Sequence, residues 1–244
     1  RGITRILADR PEIEAVILDD GFQHRRVIPG LTILLSDFGR LMINDHLLPY
    51  GNLRESISNM YRADIIVITK TPEILSPIQR RIIGKEINKA PYQSLFFTSF
   101  GYGSPEPVFP GAQSDSVPDM HTRRDERGVV LVTGIANPLP LSEYIDSIAA
   151  EVVHIQYPDH HRFRENDFVH IRAAAESLPQ PEKYIITTEK DAVRIKEFTN
   201  LAESLKSLFW YIPVEINFLN DDRKEFDNLI VEYVRKNKRN YRVS

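Results

Sequence analysis

The run Val16-Ile17-Leu18-Asp19-Asp20-Gly21-Phe22-Gln23-His24-Arg25 places an apolar stretch directly before two adjacent carboxylates and a glycine. If the stretch is a strand of a parallel sheet, Asp19 and Asp20 arrive at the carboxyl edge, where open α/β folds bind ligands. Hard carboxylate oxygens at such an edge suit Mg2+, which would neutralise charge on the β- and γ-phosphates of a nucleotide. The plain alternative is an Asp-Asp-Gly turn that only caps a loop.

A second group lies in Leu48-Pro49-Tyr50-Gly51-Asn52-Leu53-Arg54-Glu55, read as a turn leading into a helix. From there Arg54 can reach phosphate oxygens, and Glu55 a metal or its waters. In the blander reading Glu55 complements the helix dipole and Arg54 is surface charge.

Two further groups follow in the second half. Tyr157-Pro158-Asp159-His160-His161-Arg162-Phe163 offers an imidazole beside a carboxylate, the arrangement a general base needs. Adjacent histidines rarely close a tetrahedral zinc site, and no other His or Cys cluster has suitable spacing. The alternative is a helix-capping Asp with two exposed histidines. Thr187-Thr188-Glu189-Lys190-Asp191-Ala192-Val193-Arg194 then ends one apolar run and opens a helical one. Lys190 can bind a phosphate or sugar oxygen, while Thr188 can N-cap the helix with Asp191 three residues on.

The elements that must position these groups are short apolar runs alternating with helical periods, the pattern of parallel strands with crossover helices. Strands are predicted at Ala15–Leu18, Leu31–Leu35, Ile65–Thr69 and Ser94–Ser99, with helices at Leu53–Tyr61 and Pro77–Asn88. Between Gly101 and Gly128 periodicity dissolves into Gly, Pro, Ser and Asp, which predicts a boundary. A second set follows: strands Val129–Thr133, Val152–Gln156, Tyr184–Thr188 and Phe209–Val214, and helices Leu139–Ala149, Glu165–Ser177, Lys190–Phe198 and Lys224–Lys236. The predicted organisation is therefore a first domain over 1–102, a linker over 103–127 and a second domain over 128–244.

The 244 residues carry a net charge of -3, 42% hydrophobic residues and 27% charged residues, enough apolar material for one large or two modest cores. Mixed, mildly acidic charge argues against a nucleic-acid-binding stripe. The absence of cysteine excludes thiol nucleophiles, thiolate zinc sites and disulfides. No run approaches the roughly 18 to 20 apolar residues of a membrane span, so neither a span nor a basic-then-apolar secretory leader is expected within these residues. The last ten residues hold five basic side chains beside Tyr241, read either as a solvated helix end or as weak attraction to anionic lipid. Glycine is scarce, at 11 residues against 16 prolines.

Taken in order, DDGFQHR, LPYGNLRES, VITK, TGIANPLP, YPDHHRF and TTEKDAVR resemble the tetraacyldisaccharide 4'-kinase family of lipid A biosynthesis, from about Ile17 to Pro213. The resemblance implies a P-loop-type three-layer α/β/α domain, incomplete at its N-terminus, with a second, smaller α/β domain and the ligands meeting between them. It implies ATP-dependent phosphorylation of the 4'-hydroxyl of tetraacyldisaccharide 1-phosphate with Mg2+, at the cytoplasmic face of the bacterial inner membrane. No obligate protein partner and no nucleic acid are expected. By motif, Asp19 and Asp20 correspond to carboxylates serving Mg2+ and ATP. His24, Arg54 and Glu55 form the surrounding shell, with Glu55 also a metal candidate. Asp159 with His160 or His161 makes the second domain's catalytic contribution, His160 being expected to matter more for rate, and Lys190 is a nucleotide-binding candidate.

The sequence departs from the family in lacking G-x-x-x-x-G-K-[ST]; its sole Gly-Lys pair, Gly84-Lys85, is followed by Glu86. The acidic partner expected ahead of the DDGFQH segment and the leading hydrophobic segment are also absent, so these 244 residues alone are expected to give no measurable turnover. The competing readings are a non-catalytic nucleotide- or lipid-binding remnant and another P-loop NTPase. A guanine-nucleotide protein would want an Asn-Lys-x-Asp-like motif where Thr69-Lys70-Thr71-Pro72 stands.

Overall fold

Ile65–Thr69 reads Ile-Ile-Val-Ile-Thr, and Gly128–Thr133 reads Gly-Val-Val-Leu-Val-Thr. Such β-branched runs suit inner strands with both faces covered. In a computed structural model describing residues 2–112, 117–120 and 122–240, with backbone alone for 238–240, the two runs lie in separate sheets. In chain order the elements are α1 (Gly2–Asp9), β1 (Ile33–Asp37), β2 (Ile65–Thr69), α2 (Pro77–Ile87), β3 (Ser94–Tyr102), β4 (Glu106–Pro107), β5 (Arg127–Thr133), α3 (Leu139–Ile148), β6 (Glu151–Gln156), α4 (Glu165–Ser177), β7 (Glu182–Thr188), α5 (Glu189–Ile195), α6 (Glu203–Lys206), β8 (Phe209–Ile212), β9 (Val214–Phe218) and α7 (Arg223–Asn240). The chain is mixed α/β with two mostly parallel sheets.

The first unit comprises the described residues up to Phe100 together with those from Ile216 onward. Its sheet has the order β1-β2-β3-β9, with β1, β2 and β3 parallel. Alternation along β2 sends Ile66 and Ile68 to one face, where they pack with Ile83 and Ile87 of α2. Ile65 and Val67 go to the other, where Phe226, Leu229 and Ile230 of α7 cover them together with Phe96. Ser76 starts α2 with a reciprocal capping box to Gln79, and Pro77 follows at the position where its missing N–H costs nothing.

The second unit comprises the described residues from Gly101 to Glu215. Its sheet has the order β4-β8-β7-β5-β6, parallel except for β4, which runs antiparallel to β8. Leu141 and Ile145 of α3 pack on one face with Val129, Leu131 and Ile186. Phe168 and Ile171 of α4, with Ala192 and Ile195 of α5, pack on the other with Val130, Val132 and Ile185. The chain thus winds outward from β5 to β6 over one face and returns past β5 to β7 over the other. That reversal makes the carboxyl ends of β5 and β7 the topological switch point of the sheet, the place where open α/β sheets bind ligands.

Four expectations need correction. Ala15–Leu18 is not a strand: it has no regular secondary structure and no pairing partner, and Ile17 is 92% exposed. An apolar run becomes a strand only where a neighbour completes its backbone hydrogen bonds, and no described strand flanks it. Leu53–Tyr61 is not an α-helix. Leu53 is tied to His46 and Leu48 by backbone bonds, and a 3-10 turn begins only at Ile57. Pro213 lacks an N–H and divides the expected Phe209–Val214 strand, so β9 continues in the first unit's sheet. Finally, the expected domain limits shift. The terminal helix packs with the first unit, and the stretch expected as a linker builds the second: Val108 and Phe109 enter one core and Met120 the other. Residues 113–116 and 121 of that stretch, and 241–244 of the basic tail, lie outside the described residues.

Arg127 explains why that aperiodic stretch folds. Its side chain is buried and donates to the carbonyls of Asp119, Met120, Thr122 and Ile148. A buried guanidinium needs such acceptors, and irregular backbone is what can supply them together.

Candidate functional site

In the second unit, β5 ends at Thr133, β7 at Thr188 and β6 at Gln156, so TGIANP, TTEKD and YPDHH emerge at the same sheet edge. Tyr157 N–H donates to the Thr133 carbonyl, and His160 N–H to that of Gly134 at 3.1 Å. His160 has a φ of 61°, which holds its backbone left-handed. Its side chain is 71% exposed.

The imidazole of His160 is flanked by two cations: Arg194 Nη2 lies 3.2 Å from Nδ1 and Lys190 Nζ 3.3 Å from Nε2. Either contact needs a ring lone pair, and a neutral imidazole has one, so the ring accepts from one cation at a time. Each cation also has a carboxylate: Lys190 donates to Asp159 Oδ1 at 3.0 Å, and Arg194 to Asp191 Oδ1 at 3.1 Å. Hydrogen bonding from Lys190 holds the Asp159 carboxyl below the usual carboxylate range.

Asp191 is fully buried. Its Oδ2 accepts from Gly134 N–H at 2.8 Å and from the Thr188 hydroxyl at 2.7 Å, while Thr188 N-caps α5 by accepting from Asp191 N–H. A side chain at Gly134 would come 3.0 Å from Asp191 Oδ1, so glycine is what lets the two motifs close up.

His161 sits differently. It stacks on Tyr157 with centroids 4.2 Å apart, and its Nε2 is 2.9 Å from Asp167 Oδ2. The same carboxylate oxygen accepts from Arg164 N–H at the start of α4. Burial, reinforced by the Asp167 carboxylate, pushes the Tyr157 hydroxyl up to about 12. His161 is thus built into a packed wall while His160 faces solvent.

The first unit gathers the other candidates without a strand beneath them. Gly21–Gln23 forms a 3-10 turn after Asp20, and Phe22 anchors it in the core. Arg54 Nη1 donates to Asp20 Oδ2 at 3.1 Å, joining residues 34 apart in sequence. Glu55 Oε2 accepts from Arg62 at 2.6 Å, Asn59 at 2.9 Å and Arg25 at 3.4 Å, and the Arg62 guanidinium lies 4.2 Å from the Phe22 ring centroid. Asp19 and His24 are exposed. Gly51 is required in the loop before Arg54, because a Cβ there would come 2.2 Å from the His46 carbonyl oxygen. At the edge of the sheet itself Lys70 donates to Asp37 at 2.7 Å, which holds that carboxyl below its ordinary range.

Among the described residues no three His, Asp or Glu side chains converge as a metal-binding group. Mg2+ usually takes one or two carboxylates and completes its shell with substrate oxygens and water. The adjacent exposed carboxylates of Asp19 and Asp20 fit that requirement in donor type.

Motif reading did not single out Arg194, Asp37, Arg25 or Arg62. Arg194 carried a usable signal, lying three residues beyond Asp191 on one helix, where an acid and a base can pair. The others make contacts across more than one element and leave no local pattern.

A sequence profile of the family described as "Tetraacyldisaccharide-1-P 4'-kinase" matches residues 1–235. The chain is 41% identical to a tetraacyldisaccharide 4'-kinase of Bacteroides thetaiotaomicron, over 98% of the chain and 64% of the relative. It is 38% identical to one of Bacteroides fragilis strain YCH46, over 98% of the chain and 64% of the relative. It is 32% identical to one of Porphyromonas gingivalis strain W83, over 95% and 64%. The chain therefore spans less than two thirds of the length of these curated relatives.

Proposed function

Because the chain belongs to the tetraacyldisaccharide-1-P 4'-kinase family, we propose that it serves ATP-dependent phosphorylation of the 4'-hydroxyl of a tetraacyldisaccharide 1-phosphate. The observation that carries this reading is His160, an exposed imidazole on a fixed backbone at the topological switch point. Lys190 and Arg194 each have a carboxylate of their own, so the ring lone pair can go to a substrate hydroxyl without stranding a cation. His160, with Asp159 beside it, then takes the hydroxyl proton as the oxygen bonds to the γ-phosphorus of ATP and the bond to the departing ADP breaks, and the two cations favour the anionic phosphoryl oxygens.

In the same reading Asp19, Asp20 and Glu55 would hold Mg2+, with His24 and Arg54 facing the nucleotide phosphates and Lys190 an additional phosphate contact. When bound, Mg2+ supplies charge neutralisation at those oxygens. An acylated substrate places the reaction at a membrane surface, for which we propose the cytoplasmic face of the inner membrane. No helix among the described residues is long and apolar enough to cross a bilayer. The test is transfer of labelled γ-phosphate to the disaccharide by the full-length protein and its His160→Ala variant. Transfer by the parent and a rate loss of about 100-fold or more in the variant supports the reading. No transfer by the parent, or an undiminished variant, ends it.

A further inference from the structure

Asp191 is a charged side chain with no exposure, and burial of a carboxylate is costly unless its lone pairs are met. Besides the Thr188 hydroxyl of its own helix cap, its side-chain contacts lead toward one residue. Through Oδ2 it grips Gly134 N–H, and the carbonyl of the same Gly134 receives His160 N–H. Through Oδ1 it grips Arg194, whose other terminal nitrogen stands against His160 Nδ1. The first path fixes the backbone of His160 and the second governs what its ring can accept.

We infer that Asp191 is a positioning residue that keeps the His160 lone pair available by drawing Arg194 onto its own carboxylate; the assignment of that lone pair to the sugar hydroxyl rests on the kinase reading above. Arg194 is shared between a carboxylate and an imidazole nitrogen. The charge-assisted bond to the carboxylate is the stronger of the two. With that charge removed, the guanidinium turns fully to Nδ1, and the ring gives its lone pair to Arg194 rather than to a substrate. Lys190 cannot substitute for this hold, because its own carboxylate, Asp159, is the exposed neighbour of His160 and not a buried anchor.

The experiment compares Asp191→Asn, Arg194→Met and the double variant in the full-length protein. Asp191→Asn is expected to lower kcat by about 100-fold with KM for both substrates within about twofold. Removing the competing guanidinium in the double variant is expected to restore kcat by about tenfold. A purely structural role for Asp191 predicts no such recovery, because the second substitution removes a further contact. A second readout uses 15N-histidine spectra. The His160 Nδ1 resonance should move one way in Asp191→Asn and the opposite way, past its parental position to that of Arg194→Met, in the double variant. That signal does not depend on phosphoryl transfer, so it tests Asp191 even where the kinase reading fails. An Asp191→Asn variant with parental kcat, a double variant no faster than the single one, or an unmoved Nδ1 resonance would overturn the inference. Should Asp191→Asn not fold, Arg194→Met carries the test: the Nδ1 resonance must shift on loss of its donor, and an unchanged one overturns the proposal equally.

Discussion

Asp20 with Arg54, and Asp191 with Arg194, are the same contact chemically: one carboxylate, one guanidinium and 3.1 Å between them. In the first pair the side chains are 76% and 59% exposed, and in the second 0% and 24%. Water screens the first, and such a pair contributes about 0–1 kcal/mol. Loss of one partner from the second strands a group without solvent, at a cost of about 3–5 kcal/mol. Distance alone therefore says little about what an ion pair does. The first unit holds its candidate groups loosely on irregular backbone, whereas the second holds them on strand ends around a buried anchor.

The largest expected break in this contrast is thermodynamic. Asp191→Ala should destabilise the protein by about 3–5 kcal/mol in urea denaturation while Arg54→Ala costs about 1 kcal/mol or less; comparable losses would erase the distinction. Next in size is the separation of the two histidines. His160→Ala should lose about 100-fold or more in kcat with little change in melting. His161→Ala, which gives up the Tyr157 stack and the Asp167 bond, should lower the melting temperature and reduce kcat less. Equal rate losses, measured where both variants remain folded, would remove the ranking.

A smaller effect is expected from the first unit's carboxylates. Asp20→Asn should raise the Mg2+ concentration giving half-maximal rate by about tenfold, which corresponds to about 1.4 kcal/mol. Glu55→Gln should raise it less, because Glu55 Oε2 is already committed to Arg62, Asn59 and Arg25.

The smallest concerns acid pH. The Asp159 carboxyl is depressed by Lys190, so its contribution to stability is present above the unfolded carboxylate value of about 3.9 and is lost as pH falls through the lower folded value. Lys190→Met should return the carboxyl toward its ordinary range, seen as a rise in the side-chain 13C titration midpoint; no rise would show that the pairing is absent in solution.

Where the fold was legible, the signal was local. Ile65–Thr69 and Glu165–Ser177 have the predicted limits because an uninterrupted β-branched run and a helical apolar stripe each declare themselves within a few residues. Ala15–Leu18 has the composition of a strand but not the partner, and composition cannot report a missing partner. The Val108 and Phe109 segment failed in the opposite sense, since its place in the core depends on pairing with β8, and that of Met120 on carbonyls gathered by Arg127. At the site, motif spacing brought Asp159, His160, Lys190 and Asp191 into view. It could not tell the solvent-facing imidazole from the packed one, a difference set by a positive φ at His160 and by the Tyr157 ring.

The interruption of the first unit by the second bears on the order in which the chain is made. Residues of the second unit leave the ribosome as one continuous stretch and can collapse as soon as β8 is complete. The first unit must wait: Ile65, Val67 and Phe96 emerge early, but the helix that shields them is synthesised more than a hundred residues later. A nascent chain at that stage carries an uncovered apolar sheet face beside a finished neighbour. Its handling by chaperones, and its losses to aggregation during overproduction, should therefore be governed by how quickly α7 follows.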